Sequence, residues 1–364
     1  MGEINTPEQV YAFATDKDPI FSTEFGSGHI NRTYLIIDSS ARQYILQKIN
    51  KNVFRNPQAV MENIVAVTNH IKKHVSSTRQ VLCLIPTKTG ENWLVDNMGE
   101  YWRMYSYISD SICLTKTENP EDFEKSGAAF GHFQCLLSDF PAHTLNETIP
   151  KFHDTPNRYQ RFKDVLAANP HNRAKEVSQE IDFALAREEY ANTLMSLLND
   201  GHIPLRVTHN DTKLSNVLFD RETRTALCVV DLDTVMPGLA ANDFGDSIRF
   251  GASTAAEDEA DLSKVTFSVP LFEAYTSGFL SSCGENLTEC ELQHLRDGAK
   301  MMTLECGLRF LTDYLEGDVY FRIHKDDHNL DRCRTQFKLV SDMEKHWEQM
   351  QQIIFQSSNF RFKP

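Results

Sequence analysis

The chain has 364 residues, enough for two domains or one large bilobed domain, and its 41% hydrophobic and 24% charged residues are ordinary for a soluble globular protein. Its formal net charge of −14 argues against a nucleic-acid partner, because nucleic-acid binders present a basic stripe. Any polyanionic ligand must be met by local cations or metal ions, since the overall field repels it.

The eight cysteines form no CxxC pair, and several lie in apolar runs, which is typical of reduced thiols. The first residues lack the basic and apolar regions of a secretory signal, and no apolar run approaches the roughly 20 residues that span a bilayer. We therefore expect a cytoplasmic protein without a membrane partner. Its oligomeric state is left open by the sequence.

The first part of the chain, up to about Ile108, carries mostly strand patterns. Runs of apolar and β-branched residues predict strands at 33–38, 43–49, 81–85, 93–96 and 101–108. A single helical pattern interrupts them and has Pro57 near its first turn.

Helical patterns dominate the chain from Pro120 onward. Apolar periodicity predicts helices at 121–137, 178–199, 288–314 and 332–356, and a strand at 226–233. A β-rich lobe over 1–108 followed by a mainly helical lobe over 109–364 predicts an α+β, bilobed, protein kinase-like fold. The first lobe would then bind nucleotide, and the second would carry catalysis and substrate binding.

The stretch HNDTKLSN has the spacing of a kinase catalytic loop, H-R-D-x-x-x-x-N, with Asp211 and Asn216 at the two functional positions. Asp231 follows twenty residues after Asp211, at the end of an apolar run. In phosphoryl transfer one Asp accepts the hydroxyl proton, while an Asn and a second Asp hold magnesium. Each residue alone is compatible with a simple turn former. In this order they predict Asp211 as base, with Asn216 and Asp231 as Mg²⁺ ligands.

The tripeptide DFG occurs at residues 243–245, but it follows a Pro-Gly loop rather than an apolar strand. We therefore interpret Asp243 and Asp246 as carboxylates that open a helix or brace a loop, since acids favour a helix N-terminus. Asp233 is either a support for the site or a further metal ligand.

Gly26 and Gly28 lie in FGSGHIN, where Asn31 occupies the place of a third glycine. Because this turn precedes a strand in the β-rich lobe, we expect it to cover the phosphates of a nucleotide. Lys48 is the candidate cation for those phosphates. Gln47 points the opposite way along the same strand, and alternation alone does not settle which of the two faces inward.

The stretch WRMYSYISD ends the β-rich lobe and is predicted to form the hinge between the lobes. Its backbone at Tyr107 and Ile108 is expected to contact adenine.

The stretches HNDTKLSN, VVDLDTVMPG and DFGDSIR resemble those of the aminoglycoside phosphotransferase and choline kinase-like superfamily. GSGHIN and GLRFLTDYLEGDVYFR, at residues 307–322, resemble the N-acetylhexosamine 1-kinase branch, so the similarity covers nearly the whole chain. The resemblance implies ATP as co-substrate, Mg²⁺ as cofactor and the anomeric hydroxyl of an N-acetylhexosamine as acceptor. It also implies sugar contacts, which would be made by His29, Asp211, Asp231, Arg309 and Tyr320.

Other readings stay open. Another small-molecule kinase of the same fold, acting on choline, homoserine or an aminoglycoside, is the nearest alternative. A metallohydrolase could use His209, Asp211, Asp231 and Asp233, but a second metal-binding His in a suitable motif is missing. The intact set of Asp211, Asn216 and Asp231 argues against an inactive binding module. The preferred N-acetylhexosamine and the pathway are not determined by the sequence.

Overall fold

The computed structural model describes residues 6–26, 30–117 and 119–358. The chain divides into two compact units. The first comprises Met1–Ile112, His143–Pro150 and Leu218–Met236, and the second comprises Cys113–Ala142, Lys151–Val217 and Pro237–Pro364. The domain boundary after residue 108 stays a prediction. The first compact unit differs from it by taking up two segments from later in the chain.

A five-stranded antiparallel sheet forms the main part of the first unit. Its strand order is β1-β2-β3-β5-β4, with β1 at Pro19–Glu24, β2 at Arg32–Asp38, β3 at Gln43–Lys48, β4 at Leu94–Val95 and β5 at Tyr101–Ser106. One face of the sheet buries a core of alternating apolar residues that includes Ile36, Tyr44, Leu46, Trp102 and Met104. The sequence predicts these strands because period-2 alternation suits a half-buried sheet.

Helix α1, at Pro57–Ile71, belongs to the same unit and is capped by Asn56, whose side chain accepts the N–H of Ala59. The strand expected at 81–85 is wrong. Leu84 forms only an isolated bridge to Tyr105, and Pro86, which has no N–H, follows directly.

A smaller sheet has the order β6-β8-β9, from Ser111–Cys113, Val217–Asp220 and Ala226–Val229. The strand expected to reach residue 233 therefore ends at Val229. Asp231 has a φ of 61°, which is incompatible with a strand, and a 3₁₀ turn follows at Leu232–Thr234.

The second unit is mainly helical. Its helices are α2 at Pro120–Leu136, α3 at Thr155–Ala168, α4 at Ser178–Leu185, α5 at Thr193–Asn199, α6 at Ala240–Gly251, α7 at Val269–Cys283, α8 at Glu289–Gln293, α9 at Leu295–Leu315, α10 at His328–Lys345 and α11 at Trp347–Ser357. Strands β7 at Arg206–Thr208 and β10 at Met236–Gly238 pair with each other. The expected α+β, kinase-like fold class is confirmed. Within the described ranges, every helix is too short or too polar to cross a membrane.

Three helices predicted as continuous are in fact broken. The patterns over 178–199, 288–314 and 332–356 each contain two helices. At His294 and His346 the backbone leaves the helical region, with ψ of 10° and 14°, and one helix ends where the next begins. Apolar periodicity does not reveal such a break, because both helices bury one face in the same core.

Helices α2 and α7 pack with their backbones in close approach. A Cβ atom at Gly278 would overlap the carbonyl oxygen of Glu124, and one at Gly127 would overlap that of Tyr275. Glycine at these positions therefore decides how closely the two helices approach.

We predict that Gly278→Ala lowers the free energy of unfolding by about 1–3 kcal/mol, because the added methyl group forces the helices apart. Gly284→Ala is the matched control, since its Cβ would lie 3.7 Å from the nearest atom, Leu280 Cβ. Urea unfolding of both variants measures the difference. Equal transition midpoints would contradict the close packing.

Candidate active site

The catalytic-loop motif lies in the second unit, directly after β7. Asn216 Nδ2 donates to the carbonyl oxygen of Asp211 at 2.8 Å and to its Oδ2 at 3.1 Å. The 3₁₀ turn at Leu214–Asn216 brings the two side chains together. Because the amide nitrogen of Asn216 is used for this contact, its carboxamide oxygen is the atom suited to a cation. The structure thus brings the predicted base and one predicted metal ligand into contact.

Lys213 adds a cation to this loop that the sequence did not single out. Its Nζ lies 3.0 Å from Asp211 Oδ1. Burial lowers the pKa of Lys213, but the charge of Asp211 and the hydrogen bond to it raise this pKa above its ordinary value. The lysine therefore stays protonated beside the carboxylate.

Asp243, in the first turn of α6, holds the loop by its backbone. Its Oδ2 accepts the N–H of His209 at 2.8 Å and its Oδ1 accepts the N–H of Asn210 at 2.8 Å. Gln134 Nε2 donates to Oδ2 at 2.7 Å. Burial raises the pKa of Asp243, so these donors are needed to keep a carboxylate here. The interpretation of this residue as a loop-bracing acid is confirmed.

Asp246 braces the same loop one turn further along α6. Its Oδ2 accepts the N–H of Thr212 at 2.9 Å, and Arg249 binds its other oxygen. Burial raises the pKa of Asp246, but Arg249, His153 and Lys213 lower it below the ordinary value. Both acids of the DFGD stretch thus support the catalytic loop.

His209 is fully buried, with the edges of the Phe130 and Phe133 rings against it. These surroundings are those of a core residue. They argue against the metallohydrolase alternative, which requires this imidazole as a metal ligand.

Asp231 and Asp233 lie in the first unit and have different environments. Asp231 is exposed, whereas the side chain of Asp233 is only 4% exposed. Asp233 forms an ion pair with Arg103 and accepts a hydrogen bond from Asn31 Nδ2 at 2.6 Å. The exposed carboxylate is therefore the one better placed to meet a ligand.

Arg103, on β5, is the largest functional candidate that the sequence missed. Its side chain is 1% exposed, and its Nε donates to Gln47 Oε1 at 3.0 Å. Burial lowers the pKa of Arg103, but Asp233 raises it above the ordinary value, so the pair is ionic. The sequence did contain an indication of this role: an arginine lies inside an apolar strand, and arginine is rarely buried without a charged partner.

Strand register settles the direction of Gln47 and Lys48. Gln47 lies opposite Arg103, and Lys48 lies opposite Trp102, and cross-strand partners share a face. Lys48 Nζ accordingly lies 3.1 Å from Glu100 Oε2 and 6.0 Å from the centre of the Trp102 ring. This position argues against the expected pairing of Lys48 with phosphates, because its ammonium group is on the face opposite Asp233.

The glycine turn is described only in part. Gly26 has a φ of 81°, a conformation that favours glycine. Gly28 and His29 lie outside the described residues, so their predicted roles stay predictions. Asn31, which follows the turn, accepts the N–H of Asn50 at 3.0 Å while donating to Asp233.

The predicted hinge continues directly from β5. The backbone N–H of Tyr107 donates to the carbonyl oxygen of Gln43 at 3.1 Å, and the carbonyl oxygen of Ile108 accepts from Ser111 Oγ at 2.7 Å. Contact with adenine stays a prediction. It would use the carbonyl group of Tyr107 and the N–H of Ile108.

The remaining predicted sugar contacts belong to the second unit. The guanidinium of Arg309, on α9, lies 5.5 Å from the Phe152 ring and 5.4 Å from the Phe321 ring. Tyr320 is 69% exposed, and its N–H donates to Asp313 Oδ1 at 2.7 Å. Arg309 and Asp313 are four residues apart on α9, so one helix supports both candidates.

Arg158, on α3, is a second arginine near Arg309. Its Nη2 donates to the carbonyl oxygen of Phe152 at 2.7 Å. Burial and the positive charge of Arg309 lower the pKa of Arg158. In the part of the chain that the structure describes, neither arginine forms an ion pair with a carboxylate within 4.0 Å.

Glu305, also on α9, is an acid that interacts with both arginines. It accepts from His153 Nδ1 at 2.9 Å and from Thr155 Oγ1 at 2.7 Å. Burial raises its pKa, but His153 and the two arginines lower it below the ordinary value. Glu305 therefore already has hydrogen-bond partners beside the two guanidinium groups, and Asp154 is a second acid that acts on Arg158.

The fold and the catalytic loop together define a phosphotransferase with a hydroxyl acceptor. A model of the phosphotransferase enzyme family (APH) matches residues 22–268, more than half of the chain. The chain belongs to that family. The phosphotransferase family expected from the sequence is thus confirmed, and the chain has an aminoglycoside phosphotransferase and choline kinase-like fold.

Solved structures with a similar fold include small-molecule kinases. The microcompartment-associated aminopropanol kinase has a TM-score of 0.61 and 14% identity over 94% of this chain and 96% of that chain. Amicoumacin kinase hAmiN, in complex with AMP-PNP, Ca²⁺ and Ami, has a TM-score of 0.62 and 14% identity over 94% of each chain. Choline kinase from Cryptosporidium parvum Iowa II has a TM-score of 0.55 and 13% identity over 92% of each chain. At these identities the similarity shows the fold alone.

We predict that Asp231→Ala raises the Mg²⁺ concentration for half-maximal activity by at least about tenfold, whereas Asp243→Asn leaves it unchanged. Asp243→Asn should instead lower the free energy of unfolding by about 1–3 kcal/mol, because buried N–H groups lose a charged acceptor. Metal titrations and urea unfolding separate the two effects. The reverse pattern would show that Asp243 is the metal ligand.

Proposed function

We propose that the protein is an ATP-dependent kinase that transfers the γ-phosphoryl group to the anomeric hydroxyl of an N-acetylhexosamine, giving the sugar 1-phosphate. N-acetylglucosamine and N-acetylgalactosamine are the candidate acceptors. The contact between Asp211 and Asn216 is the observation that carries the kinase chemistry. An anomeric hydroxyl is more acidic than an ordinary alcohol, so a carboxylate such as Asp211 suffices as its proton acceptor.

We assign Mg²⁺ to Asn216 and Asp231, whose amide and carboxylate oxygens are the hard ligands that this ion prefers. Bound Mg²⁺ would neutralise the charge of the triphosphate, which a chain of net charge −14 repels. Asn216 is oriented for this task, since its Nδ2 is held by Asp211. Lys213 would limit the freedom of the Asp211 carboxylate, because its Nζ lies 3.0 Å from Asp211 Oδ1.

ATP is proposed to lie with its phosphates under the turn of Gly26 and Gly28 and its adenine against Tyr107 and Ile108. The positive φ of Gly26 supports a turn that brings backbone N–H groups close to a ligand. His29 and Asp231 stay candidates for contact with the sugar.

The chemistry around Arg309 favours a neutral sugar over an amine acceptor. Arg158 and Arg309 place two positive charges near each other, and Glu305, an acid that interacts with both, is occupied by His153 and Thr155. A cationic amine, such as choline or an aminoglycoside, would be repelled there. Hydroxyl and carbonyl oxygens would instead accept hydrogen bonds from a guanidinium group. Tyr320 would add an aromatic wall, because its ring is exposed.

We expect Asp211→Asn to fold and to bind nucleotide, but to turn over about 10²–10⁴-fold more slowly, because the amide keeps the shape and loses the proton acceptor. Turnover is measured as ADP release, and nucleotide affinity is measured by calorimetry as the control. Near-normal turnover would rule out Asp211 as the base.

The acceptor is tested by comparing free N-acetylglucosamine and N-acetylgalactosamine with their 1-O-methyl glycosides and with choline. We expect phosphorylation of a free sugar only, and a Michaelis constant for the sugar raised about 10–100-fold in Arg309→Gln, which loses charged hydrogen bonds. Arg161→Gln is the matched control, since this arginine on α3 is 60% exposed. Equal reaction of the blocked glycosides would exclude the anomeric position. Reaction of choline alone would exclude the sugar.

A further inference from the structure

We propose that Arg103 and Asp233 form a positioning pair for the metal site. The buried ion pair fixes the turn that presents Asp231, and through Asn31 it ties this turn to the end of the glycine turn. The proposal rests on the proposed role of Asp231 as a metal ligand, but it is independent of the identity of the acceptor.

The first step is the state of Asp233. One carboxylate oxygen is engaged by Arg103 and the other accepts from Asn31 Nδ2 at 2.6 Å. The side chains of Arg103 and Asp233 are 1% and 4% exposed. A carboxylate that is buried with both oxygens engaged is not available to a metal ion. Asp233 is therefore an anchor, and Asp231 alone in this turn presents a carboxylate.

The second step is the conformation of the turn. Asp231 has a φ of 61°, in the left-handed region, which is uncommon for residues other than glycine although Asp and Asn adopt it more often than most. The buried side chain of Asp233 fixes the turn through Arg103 and Asn31. Asn63 Nδ2, on α1, also donates to the carbonyl oxygen of Val235 at 2.9 Å. The direction of the Asp231 carboxylate thus depends on contacts made by its neighbours.

The third step is the extent of the network. Arg103 Nε donates to Gln47 Oε1 at 3.0 Å, and Gln47 Nε2 donates to Thr33 Oγ1 at 3.0 Å. Asn31 also accepts the N–H of Asn50. Strands β2, β3 and β5, the acidic turn and the residue after the glycine turn are therefore one hydrogen-bonded unit. Arg103 occupies the centre of this unit, while Lys48 lies on the other face of the sheet.

A plain structural role is the competing explanation, because Asp233 could serve only as a counter-ion for a buried arginine. Asp233→Asn alone does not distinguish a positioning role from a counter-ion role, since an unpaired buried charge destabilises any fold. A compensated variant, which restores a carboxylate beside Arg103, does distinguish them. Asp233→Asn combined with Gln47→Glu leaves one carboxylate against Arg103, because the present contact from Gln47 Oε1 to Arg103 Nε is 3.0 Å.

The experiment measures three quantities in the compensated variant: melting temperature, MgATP affinity by calorimetry without any acceptor, and the Mg²⁺ concentration for half-maximal activity. We expect a melting temperature close to that of the original protein. We also expect MgATP affinity and Mg²⁺ half-saturation to be impaired by about 10–100-fold, as is typical when the support of a metal ligand is removed. Normal values for both would overturn the proposal and leave Asp233 as a counter-ion only.

A conservative pair of variants gives a second test. Arg103→Lys keeps the charge but loses the fork that reaches both Asp233 and Gln47. Its control is Arg206→Lys, because Arg206 forms a largely buried ion pair with Glu291 in the second unit, with side chains 14% and 3% exposed. We expect weaker MgATP binding in Arg103→Lys only. Equal effects in both variants would reduce Arg103 to a general stabilising residue.

Asp231→Ala separates failure of this proposal from failure of the metal assignment. If Asp231→Ala leaves MgATP affinity unchanged, the assigned ligand is wrong and the positioning role falls with it. If Asp231→Ala weakens MgATP binding and the compensated variant does not, the metal assignment stands and the positioning role alone is refuted.

Discussion

A carboxylate that leaves water must find donors, and this constraint organises both functional loops of the protein. In the second unit Asp243 is buried and takes the backbone N–H groups of His209 and Asn210. In the first unit Asp233 is buried and takes Arg103 and Asn31. Each buried acid thus fixes the backbone near a second acid that is less buried: Asp243 braces the loop that carries Asp211, and Asp233 lies two residues after the exposed Asp231.

The difference in burial explains why acids in similar sequence contexts have different roles in the structure. Asp231 and Asp233 are separated by one residue, yet one is exposed and the other buried. The same holds for Asp243, whose DFG context suggests a metal ligand but whose two oxygens brace a loop. Burial and available donors decide the role of a carboxylate more than the local motif does.

Several cations of this chain, whose net charge is −14, are likewise paired with carboxylates. Lys213 lies against Asp211, Arg103 against Asp233, and Lys48 against Glu100, so each of these cations is matched to a carboxylate. Arg158 and Arg309 are different, since their charges repel each other and the acid that interacts with both, Glu305, already accepts hydrogen bonds from His153 and Thr155. Under the proposed function, these two positive charges would suit an oxygen-rich acceptor.

The sequence by itself determined the fold class, most strands and helices, and the spacing that joins Asp211 to Asn216, because these features depend on short-range periodicity and on one loop. The tertiary structure alone decided which face of β3 carries Gln47 and which carries Lys48. Strand alternation defines two faces, but only pairing with β5 shows which one meets Arg103. The broken helices, the burial of Asp233 and the proximity of Arg158 to Arg309 were also hidden, since each depends on segments far apart in the chain that come together only on folding.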